Sequence, residues 1–104
     1  MRTTQDPRLK DFAHIIVERG AEVDKGDNVY MVANSMESLP LFREMRRQVI
    51  QKGGQPHEHF LFDSQVGSEG MDYDFMKHAS MEQIKSVSEA KRQEMKLMDG
   101  YINI

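Results

Sequence analysis

Residues 29–33 read Val-Tyr-Met-Val-Ala, five apolar side chains in succession behind the stretch Asp-Lys-Gly-Asp-Asn. An amphipathic helix would interrupt such a run every few positions, and a strand with one wet face would alternate. An unbroken run of this length behind a turn reads as a strand buried on both faces. Such a strand needs a layer above it and a layer below it, which predicts the interior of a parallel sheet flanked by helices. Gly26 supplies the positive φ that a tight turn into the strand requires.

The flanking segments fit that expectation. Asp6-Pro7 predicts a helix start, with Asp capping free N–H groups and Pro at the first helical position. Leu9, Phe12, Ala13 and Ile16 then recur at helical spacing, and Gly20 offers a stop. After the polar loop 34–38, Pro40 falls in the first turn of a second helix. Its inner stripe is Leu41, Phe42, Met45 and Val49, while Arg43, Arg46, Arg47 and Lys52 face outward. Gly53-Gly54 ends it. Residues 57–62, "HEHFLF", predict a second strand, and 63–70 a loop. A short helix is expected over 72–79, and another from Ser80, where Ser80 and Gln83 form a capping-box pattern. That helix restarts at Ser88, carries Ala90, Met95 and Met98 inward, and ends at Gly100. Residues 101–104 predict a third strand.

The order α-β-α-β-α-α-β implies parallel pairing through right-handed crossovers. The expected architecture is one α/β domain over 1–104, an open three-layer parallel sheet with helices on both faces and the first strand central. A chain that stops inside a strand of its own sheet reads as truncated, the front part of a longer protein.

Composition narrows the function classes. Hydrophobic residues make up 38% and charged residues 30%, which suits a globular chain and not a disordered one. The net charge of -3 argues against a nucleic-acid partner, and the basic stretch 43–48 has no interleaved aromatics for base stacking. No run approaches a membrane span, and the polar N-terminus lacks the apolar core of a secretory signal. The absence of Cys excludes disulfides and thiolate zinc sites and fits a cytoplasmic setting. Nine Met and no Trp point to gap-filling sulfur side chains in the core and a docking surface between Met71 and Met98.

Several residues invite a chemical reading. His57 and His59 flank Glu58, and this spacing puts both imidazoles on one side of a strand, where they could grip an ion. A metal centre needs one or two further ligands, Asp63 or Glu58, and with four His and no Cys the supply is thin, so a plain strand is favoured. Asn34, Ser35, Asp63 and Ser64 each follow a predicted strand. Open α/β sheets bind ligands beyond the carboxyl ends of their strands, so these four are the candidate cleft-facing residues, against ordinary turn capping. The loop after the first strand holds no glycine, which excludes a dinucleotide fingerprint or a P-loop there. His78 is expected to have no local carboxylate partner, and Ser80 lacks a nucleophile elbow.

The stretch "DPRLKDFAHIIVERGAEVDKGDNVYM" resembles the opening of the thermophilic metallo-aminopeptidases of the aminopeptidase T and aminopeptidase S type. Val23, Gly26, Asp27 and Val29 stand where that family has its turn into the first strand, with one extra residue in the first gap. "KGGQPHEHFLF", "MKHAS" and the closing "DGYINI" continue the likeness in order along the whole chain. The resemblance implies the N-terminal scaffold of an enzyme that releases N-terminal amino acids from peptides, works with two divalent metal ions such as zinc or cobalt, and dimerises. The family's metal ligands lie in a C-terminal domain that has no counterpart here. No catalytic or metal-binding residue carries over, and this chain alone is expected to be inactive. Two alternatives stay open: the front of a related iron-dependent dihydroxypyridine ring-opening dioxygenase, and a stand-alone α/β module that self-associates by its sheet edge.

Overall fold

The structure, a computed structural model, describes residues 6–61 and 73–104. Its centre is a parallel three-stranded sheet in the order β2-β1-β3, built from β1 (Asn28–Ala33), β2 (Gln55–Phe60) and β3 (Gly100–Asn103). The apolar run is the middle strand, and every residue from Val29 to Ala33 is buried. Asn28 lies beside Gln55 and Ala33 beside Phe60, while Val29 lies beside Gly100 and Val32 beside Asn103.

One face of the sheet carries the core. Val29, Met31, Ala33 and Ile102 pack against Ala13 and Val17 of the first helical segment and against Phe42, Met45 and Val49. The first segment is helix α1 (Pro7–Ile15), continued by one wide π-type turn over Ile16–Gly20. Asp6 caps it by accepting from the Arg8 N–H at 2.9 Å. Of the expected stripe, Ala13 is buried and Ile16 packs against the core, but Phe12 does not. Phe12 is 55% exposed, while the small Ala13 and the branched Val17 are the buried residues of this segment.

That helix, α2 (Leu39–Gln51), follows a single 3-10 turn at Met36–Ser38 and has its proline in the first turn. Its inner stripe is the expected one, with Leu41 partly buried. Glu44 is an unexpected member, buried yet paired with the Arg47 guanidinium at 2.5 Å. Gly54 N–H donates to the Val49 carbonyl and Gly53 N–H to that of Ile50, a Schellman closure that needs the φ of +89° found at Gly53. Strand β2 begins two residues earlier than expected and includes Pro56, which an edge strand tolerates.

The return from β2 to β3 contains α3 (Tyr73–His78) and α4 (Met81–Lys96). Right-handed crossovers that run in opposite directions from β1 and from β2 put their helices on opposite sides of the sheet. The carbonyl of Leu97, just past α4, accepts from the Asn28 side chain on the face away from α2, in keeping with that rule. The expected capping box at Ser80 is present in full. Helix α4 runs without a break through Ser88, and none of its residues is buried: Ala90 is exposed and Met95 41% exposed, so neither points into a core as expected. No helix among the described residues is long and apolar enough to cross a membrane.

Candidate functional site

The carboxyl ends of the three strands form the rim where α/β sheets take their ligands. Asn34 stands there, immediately after β1, and its side chain is already engaged. Its Nδ2 donates to the Ile104 carbonyl at 2.8 Å and to Asn103 Oδ1, while its backbone N–H donates to the same Ile104 carbonyl at 2.7 Å. Asn34 therefore ties the end of β3 to β1. Ser35 lies next to it, half-buried, and its hydroxyl makes no capping bond; its carbonyl instead accepts from the Ser38 hydroxyl at 2.7 Å. Asp63 and Ser64 lie outside the described residues.

The opposite end of the sheet has a matching device. Asn28 Oδ1 meets His57 Nε2 at 3.0 Å, its Nδ2 donates to the Leu97 carbonyl at 3.1 Å, and its backbone N–H donates to Asp99 Oδ2 at 2.9 Å. One asparagine thus links β1 to β2 and to the residues that lead into β3. Because its amide nitrogen is spent on Leu97, its oxygen faces His57, and His57 Nε2 is the donor.

His57 and His59 do share one strand face, as their spacing requires. They do not converge on a common point. The His59 ring lies on Tyr30 with centroids 4.2 Å apart and planes 23° apart, and Tyr30 stacks in turn on Tyr101 at 5.3 Å. A row of three rings therefore crosses β2, β1 and β3. Glu58 points to the other face and forms an ion pair with Arg46 of α2. Among the described residues, no three His, Asp or Glu side chains come together in a way that could hold a metal ion.

Beside a groove on the arginine face of α2, two more lie among the described residues, and the sequence signalled none of them. The first lies between α1 and α2, lined by Lys10, Asp11, His14, Glu18, Gln48 and Lys52 among others. Its charges cancel: Lys52 Nζ is 2.7 Å from Glu18, and this hydrogen bond, with the lysine charge behind it, lowers the Glu18 pKa. The second lies between α2 and the outer edge of β2. Leu39, Phe42 and Phe60 give it an apolar floor, and Arg43, Arg46 and Glu58 give it a charged wall. The rings of Phe42 and Phe60 are tilted against each other at 5.3 Å.

Comparison with known proteins agrees with the likeness seen in the sequence. Residues 5–104 match the family described as thermophilic metalloprotease (M29). No curated protein and no solved structure matches the chain. A match that runs from the capped start of α1 through all three strands covers every element of the fold described above, and the chain belongs to the thermophilic metalloprotease (M29) family.

Proposed function

We propose that this chain is the N-terminal scaffold portion of a metal-dependent aminopeptidase that releases N-terminal amino acids from peptides, and that by itself it is inactive. The observation that carries the reading is the family match over residues 5–104. A catalytic centre of zinc type takes three protein ligands and a water, and the described residues offer no such cluster. The paired zinc or cobalt ions that the resemblance implies are proposed to be held by residues outside this set, in a domain that completes the enzyme.

In that complete enzyme the strand-end rim would form one wall of the cleft. Ser35 suits a substrate-facing role better than Asn34, whose amide already holds β3. Asp63 and Ser64, which follow β2, are proposed for the same wall. The parent enzyme is proposed to work as a homodimer in the cytoplasm.

The test is calorimetric titration of zinc and of cobalt into the 104-residue chain, beside a His57→Ala/His59→Ala variant, with both assayed on a leucine anilide. The expected result is no turnover by either protein with either metal. Metal-dependent hydrolysis by the chain alone would overturn the scaffold reading.

A further inference from the structure

We propose that the groove on the outer face of α2 binds a phosphate group, carried as a monoester by a small organic molecule. The groove has a volume of about 420 Å³ and is lined by Arg43, Arg46, Arg47, Ile50 and Gln51. Residues three and four apart on a helix are surface neighbours, so 43, 46, 47 and 50 come together on α2 without help from another element. The grooves beside it contain Asp11 and Glu18 in one case and Glu58 in the other. This one has no carboxylate in its lining.

The glutamates that meet these arginines do so from outside the groove. Glu44, whose side chain is only 5% exposed, lies 2.5 Å from Arg47 Nη1, and Glu58 of β2 accepts from Arg46 Nε. A guanidinium has five N–H donors, so one such contact on each arginine leaves most of them for a ligand. Guanidiniums already held in place lose less freedom on binding than loose ones. Arg43 is exposed, and no described residue pairs with it.

Charge and shape select the ligand. Three arginines against two glutamates leave one net positive charge, which suits a single phosphate group and not a polyanion. The chain as a whole carries -3, so an anion gathers here only through local contacts. A planar carboxylate matches one guanidinium fork. The oxygens of a phosphate point apart, and they can accept from three arginines at once. Ile50, 46% exposed, offers an apolar surface to the organic group that carries the phosphate. Recognition by side chains needs no glycine loop of the kind this sequence lacks. The proposal does not rest on the peptidase reading, because its test measures binding and not turnover.

The test titrates the isotope-labelled full chain with sodium phosphate and with phenyl phosphate at neutral pH and fixed low ionic strength, following the arginine Nε–H signals by NMR. The expected result is saturable movement of the Arg43, Arg46 and Arg47 signals, with a Kd of about 1–10 mM for phosphate and roughly threefold tighter binding of phenyl phosphate. Acetate at the same ionic strength should bind at least about fivefold more weakly than phosphate. Arg43→Gln removes a charge that belongs to no described ion pair, and should weaken phosphate binding about fivefold. Lys10→Gln removes the same charge from the neighbouring groove, and should change binding by less than about twofold. Equal losses in the two variants, acetate binding as tightly as phosphate, or arginine signals that follow ionic strength alone would overturn the proposal. Phenyl phosphate binding no tighter than inorganic phosphate would overturn the assignment to an organic monoester.

Discussion

Replacing Asn28 by Ala tests whether the sheet is held at its amino end by one side chain. The substitution deletes two hydrogen bonds, to His57 at 3.0 Å and to the Leu97 carbonyl at 3.1 Å, and leaves the backbone bond to Asp99 in place. A net contribution of about 0.5–1.5 kcal/mol per bond gives about 1–3 kcal/mol. Asn28 and His57 are only partly buried, so water can reach the freed partners, and the lower half of that range applies. A loss of about 1.5 kcal/mol should lower the melting temperature of a domain this size by about 6–12 °C. Thermal unfolding by circular dichroism reads this directly. A double-mutant cycle with His57→Ala isolates the single bond between the two side chains and should return a coupling of about 0.5–1.5 kcal/mol. A melting temperature unchanged within about 1 °C would show that the network contributes nothing and that backbone pairing alone orders the strands, and additive effects in the cycle would show that the bond to His57 contributes nothing.

Three further outcomes follow from local geometry. Gly53→Ala should cost about 1–2 kcal/mol and more than Gly26→Ala; both sites have φ near +90°, but only at Gly53 would the new Cβ come within 2.9 Å of the Lys25 side chain, and equal melting temperatures would refute the steric part. Ser80→Ala removes the acceptor for Gln83 N–H, and because α4 has no buried residue to hold its first turn, amide exchange at Gln83 should accelerate about fivefold. Hydrogen bonds from the Arg8 side chain and backbone lower the Asp6 pKa from 3.8 to about 2. A carboxyl depressed in the folded state stabilises above its unfolded value and loses that contribution as pH falls from 3.8 toward 2, so the Asp6 carboxyl carbon should titrate near the lower value and move upward in Arg8→Ala.

What could be read from the sequence was what local chemistry or complete burial dictates. The central strand declared itself because burial on both faces leaves no polar position in Val29–Ala33. The glycine turn, the glycine stop of α2 and the capping box of α4 were legible because each is settled within six residues. The exposure of Phe12 on α1 was not. Phe12 and Ala13 are neighbours, and which of them faces inward depends on how near α2 approaches, which periodicity does not encode. The inward face assigned to Ala90 and Met95 failed for a related reason, since an apolar stripe does not say whether a surface stands opposite it. Both asparagine ties were invisible, because Asn28 meets Leu97 and Asn34 meets Ile104 across about seventy residues of sequence, and only the strand order brings them together.

The two faces of the sheet explain why the paired histidines mislead. Toward α2 the sheet is apolar and dense, and the one charge that β2 sends there, Glu58, is met by Arg46. Toward the other face it offers Asn28, His57, His59, Tyr30 and Tyr101, all polar-tipped side chains engaged with one another across the strands. A histidine serves such a face well for reasons unrelated to metals: its ring is flat enough to lie on Tyr30, and its nitrogen can donate to an asparagine oxygen. For His57 to bind a metal through Nε2, it would have to release Asn28 and with it the link from β2 to the approach of β3. The spacing that suggests a metal grip is here the spacing of two successive residues on one strand face.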